Sequence, residues 1–128
     1  MKFTLDATSA GTNVIRAYGP GRINISDKIY TRSLVLTPQR LLDDWPPQRF
    51  EDLTLAHLET ALGLQPEILV IGTGAVLRFP EARIQAEIQA RGIGLEVLDT
   101  AAACRTYNVL VSENRKVVAA LLLIETRH

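Results

Sequence analysis

The run Glu67-Ile68-Leu69-Val70-Ile71-Gly72 constrains this chain more than any other stretch. Its apolar residues do not alternate with polar ones and several are β-branched, which is the pattern of a strand buried on both faces. A strand of that kind needs helices or other strands above and below it, and the neighbouring sequence supplies them. Leu55, Leu58 and Leu62 fall at i, i+3 and i+7, one stripe of a helix that Gly63 ends. Pro80-Glu81 opens a second helix with Ile84 and Ile88 on its apolar face and Gly92 at its end. Ile93 to Leu98 reads as a strand, Thr100 to about Val111 as a helix with Thr100 as N-cap, and Val117 to Ile124 as a last buried strand. Residues 67–98 then form a βαβ unit with parallel strands.

Before Asp52 the texture is different. Short extended runs (Asn13 to Tyr18, Arg22 to Ile25, Ile29-Tyr30) are separated by Gly19-Pro20-Gly21 and Ser26-Asp27-Lys28, so an antiparallel meander is expected. Ser33 to Thr37 is a more continuous apolar strand that Pro38 stops, and a short helix is expected to follow through Leu42. The whole pattern reads as an α/β chain, and one domain over residues 1–128 is expected, without linker or internal repeat.

Composition excludes several classes of function. The chain has 14 basic and 14 acidic residues, balanced in each half, so no basic surface announces nucleic acid. The opening Met1 to Asp6 has no apolar core of a signal sequence, and the longest apolar run, Val117 to Ile124, is far short of a membrane span, so a protein that is not membrane-embedded is expected. A lone cysteine, Cys104, excludes an internal disulfide and suits a reducing compartment, hence a cytoplasmic location.

In an open α/β sheet, ligands favour the crevice beyond the carboxyl ends of the strands. Two segments fall there: Gly72-Thr73-Gly74, where glycine permits close approach, and the helix start at Thr100, whose amides and dipole favour an anion. On the last helix, Ala103, Tyr107, Leu110 and Val111 share an apolar side, while Ala101, Arg105 and Asn108 share a small and polar one. Arg105 is then either the fixed positive charge of a binding site, with Asn108 beside it, or a structural partner of Asp99 or a loop carbonyl. Gly72-Thr73-Gly74-Ala75-Val76-Leu77 carries leucine where a dinucleotide fingerprint needs its third glycine, so no nucleotide site is read there. No metal-ligand spacing is present and no cofactor is expected. His57 lies off the leucine stripe, on the solvent side, His128 is terminal, and Cys104 after three alanines reads as a small buried hydrophobe. Trp45, between Asp43-Asp44 and Glu51-Asp52, is expected to anchor a long connection rather than to form a recognition loop.

Ile71-Gly72-Thr73-Gly74 and the block Leu98-Asp99-Thr100-Ala101-Ala102-Ala103-Cys104-Arg105-Thr106-Tyr107-Asn108-Val109-Leu110 resemble the two most recognisable blocks of the Mth938-domain family. The resemblance extends upstream through Tyr18-Gly19 and Ser33 to Pro38 as far as Trp45, and downstream from Glu113 to Leu122. It implies a three-layer α/β fold: a mixed central sheet flanked by helices, with an N-terminal antiparallel β meander. The family includes a mitochondrial respiratory complex I assembly factor and an adipogenesis-associated protein, and offers no established catalytic residues to carry over. Its better understood member acts by binding other proteins. The presequence expected of that member is not seen here, which favours a bacterial-type cytoplasmic protein.

Two functional readings follow. The first is a non-enzymatic protein-binding domain like an assembly factor, with protein partners and with a homodimer left open. The alternative is a small-molecule or anion-binding protein, or an enzyme, whose site comprises Gly72, Thr73, Gly74, Thr100, Arg105 and Asn108.

Overall fold

The computed structural model describes residues 11–126, so the opening Met1 to Asp6 and the terminal His128 lie outside the described residues. The chain begins with the expected meander. Strands β1 (Ile15–Gly19), β2 (Arg22–Ile25) and β3 (Lys28–Tyr30) pair antiparallel in that order. Pro20-Gly21 and Ser26-Asp27 make two-residue reversals, with Gly21 (φ +74) and Ser26 (φ +53) supplying the left-handed backbone.

A second, five-stranded sheet has the order β5-β4-β8-β6-β7. Its strands are β4 (Leu34–Leu36), β5 (Leu41–Leu42), β6 (Ile68–Gly72), β7 (Gly94–Leu98) and β8 (Val117–Leu121). β6 runs parallel to both β7 and β8, whereas β4 runs antiparallel to β8 and to β5, so the sheet is mixed. The short helix expected after Pro38 is not formed. Thr37 instead turns the chain, its Oγ1 accepting from the amides of Gln39 and Arg40, and Leu41-Leu42 pairs with Val35-Leu36 as a strand. Three or four residues cannot supply the i to i+4 bonds that sustain a helix, and the edge of β4 offers the same backbone groups partners at once.

Among the described residues three helices cover the sheet: α1 (Leu55–Leu62), α2 (Ala82–Ala90) and α3 (Thr100–Ser112). A single 3-10 turn, Phe50–Asp52, precedes α1. Alternate residues of the central strands feed two separate cores. Leu34, Leu36, Val70, Val117, Ala119 and Leu121 pack with α3 and the meander, while Val35, Leu69, Ile71, Val118 and Ala120 pack with α1, α2 and Trp45. All of β8 is buried, as strand residues covered on both faces must be. The observed arrangement is the three-layer α/β fold with an N-terminal meander. β8 ends at Leu121, earlier than its apolar run, and the chain continues until Ile124 bridges to Pro20 of the meander.

Candidate functional site

Gly72 ends β6 where α3 crosses the sheet. A methyl group there would meet Thr100 Oγ1 at 2.9 Å, Leu121 Cδ2 at 3.0 Å and Ala103 Cβ at 3.2 Å, so only glycine lets the helix sit this close. Thr73 follows, buried, and its amide donates to the carbonyl of Leu98 on the parallel neighbour β7. Its hydroxyl donates to the Val76 carbonyl (2.7 Å) and accepts from the Arg78 amide (3.2 Å), which folds the next five residues into a fixed loop. Gly74, at φ +103, exchanges two bonds with Thr100: its amide donates to Thr100 Oγ1 (2.8 Å) and its carbonyl accepts from the Thr100 amide (2.9 Å). The same Thr100 hydroxyl donates to the Leu122 carbonyl at 2.6 Å.

The N-cap of α3 is Asp99 rather than Thr100; its carboxylate accepts from the Ala102 amide at 2.8 Å. Thr100 cannot cap because its side chain is committed inward to Gly74 and Leu122. A second carboxylate, that of Glu125, accepts from the Ala75 amide at 2.7 Å and lies against Gly74. The crevice at the carboxyl ends of β6 and β7 thus holds two anionic groups from the chain itself.

The structure brings Gly72, Thr73, Gly74 and Thr100 together. Arg105 and Asn108 are turned toward the meander instead. Arg105 donates to the Tyr18 hydroxyl (2.7 Å). Asn108 donates to the Ile15 carbonyl (2.7 Å) and accepts from the Ile15 amide (3.0 Å), and Tyr107 donates to the Asn13 carbonyl (2.8 Å). This polar row joins α3 to β1 across a register irregularity between Ile15 and Ala17.

Burial pushes the Cys104 thiol up to about 12, with Arg105 pulling it down more weakly, so no thiolate is available as a nucleophile near neutral pH. His57, expected on the solvent side, is half-buried at the start of α1, where Thr54 and His57 form a capping box. Its helix packs, through Leu58, Ala61 and Leu62, on the opposite face of the sheet from Cys104. Trp45 is buried on that face, and its indole N–H donates to the His57 carbonyl at 3.0 Å. Among the described residues no three His, Cys, Asp or Glu side chains are grouped to hold a metal. No helix of the described residues is long and apolar enough to cross a membrane.

Sequence reasoning passed over the segment that follows the glycine turn. Val76, Leu77 and Phe79 are 60%, 44% and 61% exposed, three large apolar side chains within four residues. Their loop is held at both ends: by the Thr73 hydroxyl, and by Arg78, which pairs with Glu51 at 3.3 Å and lies 6.0 Å over the Phe50 ring. The available signal was an apolar run, Ala75-Val76-Leu77, too short for a strand and outside the helical stripe of α2.

A family model described as "Protein of unknown function (DUF498/DUF598)" matches residues 15–122. The chain is 38% identical over 116 residues to NADH dehydrogenase (ubiquinone) 1 alpha subcomplex assembly factor 3 of Danio rerio; the match covers 89% of this chain and 66% of that protein, just under two thirds of its length. A crystal structure of a Bordetella parapertussis protein is similar with a TM-score of 0.83 at 37% identity, covering 90% of this chain and 98% of that one. A solution structure from Bordetella pertussis, described as a Mth938-like domain, has a TM-score of 0.82 at 30% identity and covers 98% and 94% of the two chains.

Proposed function

The chain belongs to the DUF498/DUF598 family of Mth938-like proteins, and from that premise we propose that it is a non-enzymatic protein-binding domain, acting in the manner of an assembly factor. The partner docks on the loop Ala75 to Phe79. One observation carries the reading: Val76, Leu77 and Phe79 present apolar surface on a loop whose backbone is fixed by Thr73 and Arg78. Exposed apolar side chains on a preordered segment lose little freedom on binding and shed water when covered, which is the composition of an interface core. The Gly72-Thr73-Gly74 turn and Thr100 then serve as the mount of that loop. The name of the Danio rerio relative, an assembly factor, supports the same class of role. The unpaired, buried Cys104 suits a reducing cytoplasm as the place of action.

The experiment places a photo-crosslinking residue at Phe79, with Ile29 on the meander as control, in the organism's own cells. The reading expects one protein crosslinked from position 79 and not from 29, lost when Val76 and Leu77 are changed to serine in a protein that melts normally. Crosslinks only between copies of this chain would assign the loop to a homodimer. No crosslink from position 79 overturns the reading.

A second reading, a small anionic ligand at Gly72, Thr73, Gly74 and Thr100, has one observation in its favour: the Ala75 amide there already holds a carboxylate, that of Glu125. A ligand would have to displace it. That reading expects Glu125→Gln to raise the melting shift produced by phosphate or simple carboxylates, and an unchanged shift counts against it.

A further inference from the structure

At the opposite end of the central sheet, where β6 and β8 begin, a groove of about 800 Å3 opens between the β4–β5 turn, the end of α1 and the α3–β8 turn. Its volume falls within the range of small-molecule sites, roughly 300–1,000 Å3. Its lining is distinctive in charge. Arg40, Arg115 and Lys116 border it, and no carboxylate is among the described residues that line it, in a chain whose formal charges sum to zero. Arg115 is partly neutralised from outside the groove by Glu67, at 3.0 Å. Arg40 and Lys116 then supply two positive charges from two different walls.

Both are mounted on fixed backbone. The Arg40 amide donates to Thr37 Oγ1 at 2.9 Å, and its carbonyl accepts from the Thr37 amide at 2.9 Å and from Asn13 Nδ2 at 3.1 Å. The Lys116 carbonyl accepts from the amides of Glu67 (2.8 Å) and Ile68 (3.2 Å), and its own amide donates to Glu67 Oε1 at 3.2 Å. The turn that carries Lys116 is set by Asn114 in the left-handed region, at φ +60. Apolar side chains line the groove as well, Leu64 and Val111 among them. Two cations and apolar side chains lining one groove match a dianionic head with an apolar body, and a phosphomonoester is such a head near neutral pH.

We infer that this groove binds a small phosphomonoester with an apolar portion, its phosphate between Arg40 and Lys116 and its apolar part on Val111 and Leu64. The site lies at the other end of β6 from the loop proposed for protein docking, so the two assignments stand or fall separately.

The test titrates the full-length, isotope-labelled chain with n-hexyl phosphate, inorganic phosphate and 1-hexanol, following backbone amide shifts. The expected result is saturable shifts at Leu64, Val111, Lys116 and Val117 with hexyl phosphate, and binding about tenfold or more weaker for inorganic phosphate. Arg40→Gln with Lys116→Gln weakens hexyl phosphate by about tenfold or more, while the charge-matched Lys28→Gln with Arg32→Gln leaves it unchanged. Melting curves of both double variants serve as the folding control, and native-like melting is expected of each. The inference is overturned if the shifts fall elsewhere, if the Arg40/Lys116 variant binds as the wild type does, or if inorganic phosphate binds as well as hexyl phosphate. Sedimentation with phosphatidylglycerol vesicles without saturable binding of hexyl phosphate also overturns it, since the surface would then be reading a membrane's charge.

Discussion

The side-chain amide of Asn108 on α3 pairs with the backbone of Ile15 on β1, donating to its carbonyl at 2.7 Å and accepting from its amide at 3.0 Å. It does for Ile15 what a neighbouring strand would do, at a point where the β1–β2 register is irregular. The stretch Arg105-Thr106-Tyr107-Asn108, within one of the two blocks that carry the family resemblance, is thereby explained as the joint between helix and meander.

Removing that amide leaves two partly buried backbone groups without partners. Asn108→Ala is expected to lower the unfolding free energy by about 2–3 kcal/mol. Hydrogen exchange is the direct check: the Ile15 amide loses its protection, and the amides within β6 and β8 lose no more than the global destabilisation accounts for.

Thr100 offers a sharper contrast between hydroxyl and methyl. Thr100→Val keeps the volume but orphans the Gly74 amide and the Leu122 carbonyl, at an expected cost of about 2–4 kcal/mol, while Thr100→Ser keeps both bonds and costs about 1 kcal/mol. Denaturant unfolding of the two variants measures the difference. Equal destabilisation by Val and Ser would sink the role assigned to the hydroxyl.

Cys104 is expected to be inert in the folded protein. Burial pushes its thiol up to about 12, so at pH 8 its reaction with a thiol reagent should be about 100-fold or more slower than in the urea-unfolded chain. Reaction kinetics with and without urea check this.

Glu59 and Glu67 are held below the ordinary carboxylate value of 4.5, Glu59 chiefly by its hydrogen bonds to Arg91 and Glu67 chiefly by Arg115 and the Lys116 amide. A carboxyl whose folded value is depressed contributes stability above its unfolded value, and loses it as pH falls through the folded one. Glu59→Gln and Glu67→Gln are therefore expected to be less stable than the wild type at pH 7, with the difference closing below 4.5. Both groups are solvent-exposed, so the effect is small, and urea melts across pH 3 to 7 with added salt should shrink it further.

Element type was legible in the sequence wherever burial repeats locally. The unbroken apolar run at Ile68 to Ile71, the spacing of Leu58 and Leu62, the pair Ile84 and Ile88, and the reversals at Gly19 to Gly21 and Ser26-Asp27 each appear in the fold as the expected strand, helix or turn. These patterns report which side of an element faces away from water, a property each segment carries by itself. The tertiary structure decided everything that depends on a partner distant in the chain. Leu41-Leu42 became a strand because the edge of β4 was there to pair with it. Thr100 gave the cap to Asp99 because Gly74 and Leu122 claimed its hydroxyl. Arg105 and Asn108 turned from the glycine loop to the meander, across 87 and 93 residues of sequence, because α3 packs against β1. Periodicity carries no record of such partners, for a hydrogen bond depends on which two groups the folded chain brings within about 3 Å of each other.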